Sequence, residues 1–206
     1  MLDTDGAEST ETAWTADEFI RSTGAETGTA AQYYLLENRS YVGNYEDGLR
    51  TGPYNFGWAA TKPDWVQQYS YRDGMLVWYV NHAVADNNTS QHPGAAYALP
   101  IDANPAALKW SSGDVVRGRI QMYDATFGLQ ATDGLALQRE VGDGTTQTLN
   151  ALSLPATATF DDTADYYDEL LPYVSVTTAG AGVTATVTSQ TADTITVSVA
   201  NRVAAP

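Results

Sequence analysis

Polar and apolar residues alternate most regularly near the end of the chain. Val183, Ala185 and Val187 alternate with Thr184, Thr186 and Thr188. After Ser189-Gln190-Thr191-Ala192-Asp193, Ile195, Val197 and Val199 alternate with Thr194, Thr196 and Ser198. A period of two sends successive side chains to opposite faces, so this stretch predicts a hairpin with one apolar and one hydroxyl face. Met75-Leu76-Val77-Trp78-Tyr79-Val80 has no polar interruption; its length and its β-branched and aromatic content predict a strand covered on both faces. Val115–Phe127 alternates in part, with Val116, Ile120 and Met122 against Arg117, Arg119, Gln121 and Tyr123. That pattern predicts a half-buried strand.

Punctuation supports the same picture. Asp-Gly pairs recur at 47–48, 73–74, 133–134 and 143–144, each a favoured tight-turn dipeptide. Thr163–Leu171 reads as a single helical turn ended by Pro172. Residues 1–31 are rich in Thr, Ala, Gly and Glu and poor in large apolar groups, which predicts a tail or linker. One short helix is expected within it, where Thr15 and Glu18 fit a capping box ahead of Phe19 and Ile20. No repeat of solenoid or propeller length is present. The expectation is an all-β, antiparallel, jelly-roll-like sandwich over 32–206, with one or two short helices and a flexible N-terminal segment.

Composition narrows the chemistry. The 206 residues are 43% hydrophobic, enough for a sizeable core, and include no cysteine. A disulfide framework, a thiolate metal site and a cysteine nucleophile are thereby excluded. Twenty-five acidic residues against ten basic give a net charge of −15. This acidic protein is a poor partner for nucleic acid or an anionic membrane, and no apolar run reaches the length of a membrane span. The N-terminus lacks the basic and apolar regions of a signal peptide, so the chain is expected to be either cytoplasmic or part of something longer. The acidic excess suits solubility, and equally suits Ca²⁺, which takes oxygen ligands.

No enzyme motif is evident. The two histidines, His82 and His92, do not form an H-E-x-x-H helix, and no nucleophile elbow, phosphate loop or dinucleotide fingerprint appears. Asp86, Asn87 and Asn88 present clustered oxygens within one turn after the apolar strand. With Asp102 they are the candidate calcium ligands; the alternative is an Asx turn capping backbone N–H groups. His92, ahead of Pro93-Gly94, reads as a loop histidine rather than a ligand. Asp161, Asp162, Asp165, Asp168 and Glu169 form a second acidic cluster, read as a solvated surface with Arg117 and Arg119 as candidate partners. Thirteen tyrosines, many of them interleaved with Trp58, Trp65 and Trp78 between Tyr33 and Tyr79, either fill a core or offer a stacking surface for sugar or peptide.

Several blocks resemble immune-inhibitor-A-like secreted zinc metallopeptidases. They are Tyr33-Tyr34-Leu35-Leu36-Glu37-Asn38-Arg39, Gly52–Gly57, Tyr71–Tyr79, Asp86–Gly94, Leu99-Pro100-Ile101-Asp102-Ala103, Ala158–Asp162 and the closing hairpin. The similarity runs from about Tyr33 to Arg202 and departs from the family at Gly94-Ala95-Ala96, where relatives read G-E-G. It implies a non-catalytic region downstream of the active site, since the family's zinc motif has no counterpart in these 206 positions. Zinc would belong to the catalytic domain alone. The implied role is an extracellular accessory β-sandwich that packs on and stabilises the protease domain and binds calcium. Its partners would be that catalytic domain or a protein substrate. The other reading is a freestanding extracellular binding or self-assembling structural protein of the same fold, in which homo-oligomers would form. An autonomous hydrolase would need a carboxylate pair with raised pKa values in a cleft.

Overall fold

The computed structural model describes residues 19–21, 32–41, 69–142 and 144–201. Nine strands are assigned among them: β1 (Phe19–Arg21), β2 (Gln32–Arg39), β3 (Gly74–Asn81), β4 (Ala98–Ile101), β5 (Leu135–Glu140), β6 (Thr146–Ala151), β7 (Thr159–Asp161), β8 (Val183–Gln190) and β9 (Ile195–Asn201). They form an antiparallel four-stranded sheet in the order β1-β2-β3-β4, a β5-β6 hairpin, and a three-stranded sheet β7-β8-β9. A single-turn helix α1 (Gly118–Gln121) runs into a 3-10 turn at Met122–Asp124.

The strand at 74–81 fulfils the expectation from its apolar run. It lies between β2 and β4, with Met75, Val77 and Tyr79 buried on one face and Leu76 and Val80 on the other. The C-terminal hairpin likewise pairs as its alternation predicts. Val183, Ala185, Val187, Ile195 and Val197 are buried, and a bulge after Val187 shifts the register. The inward residues of these two sheets share one core with Phe127, Phe160, Tyr166 and Val176. Tyr34 of β2 meets Phe160 of β7 edge-on at 4.8 Å between ring centroids, so aromatic contact joins the layers of an antiparallel β-sandwich. A second cluster, Trp110, Val116, Ile120, Leu137 and Leu149, packs the β5-β6 hairpin against α1.

Gly74 opens β3 because no other residue fits there. Its φ is +141°, and a Cβ would lie 2.7 Å from the Phe127 carbonyl oxygen. That close approach lets Met75 exchange backbone hydrogen bonds with Phe127 at 2.8 Å each way, which ties the 126–127 segment to the sheet. Gly144 (φ +80°) lies in the β5-β6 turn. The Asp-Gly pair at 47–48 lies outside the described residues.

Three expectations need correction. Val115–Phe127 is not a strand: Val116, Ile120 and Tyr123 are buried at a spacing of four and three, which serves a helical turn as well as partial alternation serves a strand. Thr163–Leu171 is not helical. Asp161, Asp165 and Asp168 each accept the backbone N–H two residues on, at 2.8 to 3.0 Å, and those local bonds compete with a helix ladder. Phe19–Arg21 is extended rather than helical, pairing with Tyr33–Leu35 along the outer edge of β2; the rest of the expected helix lies outside the described residues.

Candidate functional site

The loop after β3 is an Asx-rich turn. Asp86 Oδ1 accepts from Asn88 N at 2.8 Å and lies 2.9 Å from His92 Nε2, and that hydrogen bond is the main reason its carboxyl sits below the usual range. Asn87 Oδ1 accepts from Ala98 N at 2.8 Å, and Asn88 Oδ1 from the Ser90 hydroxyl. These oxygens orient the loop and start β4. Gly94 seats the loop on the 166–177 segment. It donates to the Pro172 carbonyl, accepts from Thr177 N, and approaches Tyr167 so closely that a Cβ would lie 2.9 Å from the ring.

Asp102 stands apart from this group. It follows Ile101 at the other end of β4, four residues from Ala98, or about 13 Å along an extended strand. The structure therefore brings Asp86, Asn87 and Asn88 together and places Asp102 elsewhere. Asp102 and Asp124 are only 5% and 3% exposed. Burial pushes the Asp102 carboxyl up to about 7, with the Asp124 charge adding to the rise; Asn104 N, donating to Oδ1 at 2.8 Å, opposes it. Burial also raises Asp124, to about 6, and its own backbone N–H, the Tyr123 hydroxyl and, least, Arg72 partly offset this. Both carboxyls lie beneath the surface.

The second acidic cluster departs from its expected solvated character at one residue. Asp162 is 1% exposed. Its Oδ1 accepts from Gly182 N at 2.8 Å and Val183 N at 2.9 Å, and its Oδ2 from Ala181 N at 2.9 Å and the Tyr34 hydroxyl at 3.3 Å. Four donors compensate the buried charge. Desolvation beside this carboxylate raises the Tyr34 phenol well above its ordinary value. Asp168, in turn, accepts from Ala107 N through its Oδ2 at 2.9 Å. Sequence reasoning missed Asp162 as a buried group because its partners are remote in the chain, and it missed Asp124 because the surrounding stretch reads as a half-buried strand rather than a buried turn.

The tyrosines divide between core and surface. Tyr34 and Tyr79 stack in the core at 5.3 Å, whereas Tyr71, Tyr97 and Tyr173 are exposed. Tyr45, Tyr54, Trp58 and Trp65 lie outside the described residues. A surface hollow of about 350 Å³ is lined by Val115, Val116, Leu171 and Val174, with Leu170 and Tyr173 at 53% and 59% exposure and Arg117 beside them. Among the described residues no three or more His, Asp or Glu side chains converge to hold a metal, and no helix is long and apolar enough to cross a membrane.

Residues 27–199 match the VEG domain of immune inhibitor A-like metallopeptidases. The chain belongs to that family. Over 144 residues it is 37% identical to the pre-pro-metalloprotease PrtV of Vibrio cholerae serotype O1, covering 69% of this chain and 14% of PrtV. Over 160 residues it is 28% identical to immune inhibitor A of Bacillus thuringiensis subsp. alesti, covering 76% of this chain and 20% of that protein. The VEG-domain chain thus spans a fifth or less of the length of these relatives.

Proposed function

We propose that this VEG domain is a non-catalytic accessory module of a secreted immune-inhibitor-A-like metallopeptidase, packing on the protease domain and stabilising it. The observation that carries this reading is the apolar hollow at Val115–Gly118 and Leu170–Val174. Leu170 and Tyr173 are two of several exposed large apolar residues, and these two sit together at the apolar hollow; exposed apolar groups gathered at a hollow mark contact sites. Family membership supports a protease domain as the occupant, since the region matched in PrtV is 14% of that metalloprotease. Arg117 at the rim suits a carboxylate on the partner, within a chain of net charge −15.

The test is binding between this chain and the catalytic region of its parent metallopeptidase, followed by size-exclusion chromatography and calorimetry. A one-to-one complex is expected, and Leu170→Asp or Tyr173→Asp should weaken it at least tenfold while leaving the fold intact. A protease region that binds neither form, or both equally, would overturn the reading. The freestanding, self-assembling alternative draws on β9, an edge strand of the β7-β8-β9 sheet and thus open to strand addition. Concentration-dependent oligomers of the purified chain, with no protease binding, would favour it.

A further inference from the structure

Two loops carry Asp102 and Asp124 to the same place. Ala103 N donates to the Ala125 carbonyl at 3.0 Å, and Asn104 Nδ2 to the Asp124 carbonyl at 3.0 Å. This locks the residues after β4 against the end of the 3-10 turn. Asp102 Oδ1 is used by Asn104 N, but Asp102 Oδ2 is sealed from solvent and meets no hydrogen-bond partner. A buried carboxylate oxygen left in that state is costly, and Asp124 adds like charge to it.

The neighbouring groups leave Asp102 Oδ2 unpaired, although the Tyr123 hydroxyl hydrogen-bonds the Asp124 carboxyl. The Arg72 guanidinium donates to the Thr126 and Gln130 carbonyls and acts on Asp124. Gln121, also buried, donates from Nε2 to the Asn104 and Ala106 carbonyls at 3.3 and 3.0 Å, and its Oε1 accepts from Leu108 N. The amide of Gln121 lies near Asp102 and eases its charge, without pairing Oδ2.

We propose that the carboxylates of Asp102 and Asp124 are the anionic ligands of a buried Ca²⁺ site that fastens β4 to the α1 and 3-10 segment. Two carboxylates balance a divalent ion, and the Asn104 side-chain oxygen is a further donor within the same backbone junction. The donor set is oxygen alone. His82 and His92 belong to the loop before β4, at the strand's other end, so the chemistry favours a hard cation over zinc. Calcium tolerates the irregular geometry of a side-chain and carbonyl site, whereas Mg²⁺ demands a near-ideal octahedron and keeps its waters. The Asp86–Asn88 turn is a weaker candidate, because its oxygens are engaged by Asn88 N, Ala98 N, Ser90 and His92. This inference does not depend on the apolar hollow and survives or fails separately from it.

The full chain, unfolded and refolded in EDTA and then freed of chelator, is titrated with CaCl₂ by calorimetry and by thermal melting. Binding of one ion per chain is expected, with a melting temperature several degrees higher in millimolar Ca²⁺, because an ion that binds only the native state stabilises it by mass action. Asp102→Asn and Asp124→Asn should each abolish the Ca²⁺ response. Asp102→Asn should also melt no lower than the parent chain in EDTA, since it removes an uncompensated buried charge. Asp86→Asn should keep the response. No Ca²⁺ heat and no melting shift in the parent chain would overturn the proposal. So would a response lost in Asp86→Asn and kept in both other variants, and an equal response to Mg²⁺ would overturn the choice of ion.

Discussion

Asp162 and Asp102 are both buried aspartates, and their surroundings set them apart. Asp162 accepts three backbone N–H groups and a tyrosine hydroxyl, and these bonds join the 178–183 segment to β7 and β2. Asp162→Ala should therefore cost about 3–5 kcal/mol, because it strands several donors in the interior. Asp162→Asn should cost less, since it keeps one acceptor oxygen and sets an NH₂ group against the remaining donors. Urea denaturation of the two variants checks the order, and equal, negligible losses would contradict it. The sequence showed five carboxylates in nine residues without distinguishing this one. Its donors lie 19 to 21 residues along the chain, with Tyr34 128 residues away, and no local pattern encodes such partners. The Asx turn at Asp86–Asn88 was legible because its geometry is largely local.

At the scale of elements, legibility follows the source of the signal. The hairpin at β8 and β9 and the buried strand β3 repeat one periodicity long enough to exclude alternatives. In Val115–Phe127, Val116 and Ile120 satisfy both periods at once, while the burial of Tyr123 fits only the helical one; packing of Val116 and Ile120 against Trp110, Leu137 and Leu149 decides for the helical turn. Gly74 was legible as a turn residue, but its deeper reason is tertiary, the approach of the Phe127 carbonyl. Gly74→Ala should accordingly destabilise the domain by about 2–4 kcal/mol, outweighing the gain of up to about 1 kcal/mol that a less flexible unfolded chain would otherwise bring. Gly144→Ala is the comparison, with positive φ but open space around it. Thermal melts in which the two variants lose equal stability would refute the close-approach argument.

At the scale of the molecule, the described residues form a β-sandwich in which Tyr34, Tyr79, Tyr123 and Tyr166 are buried and Tyr69 is half-buried. Desolvation raises the phenols of Tyr34, Tyr69, Tyr79, Tyr123 and Tyr166 above their ordinary value of 10.0. The unfolded chain thus releases these protons first. Stability from this source is complete below about pH 10 and is lost as pH rises toward the folded values. Absorbance at 295 nm should show tyrosine ionisation in a cooperative step that coincides with loss of the β-sheet circular dichroism signal. Gradual ionisation of every tyrosine near pH 10, with the fold retained, would contradict this. The family was legible from ordered sequence blocks between Tyr33 and Arg202, and the matched region 27–199 agrees with it. The apolar hollow was not legible, because it joins Val115–Gly118 to Leu170–Val174 only in the folded chain.

Hydrogen–deuterium exchange of the domain, alone and with the catalytic region of an immune-inhibitor-A-like metallopeptidase, tests the central claim most directly. Packing on the protease through the hollow predicts that residues 115–118 and 170–174 gain protection in the complex, and that Leu170→Asp abolishes the gain. Unchanged exchange at both segments, or protection confined to the β9 edge, would contradict it.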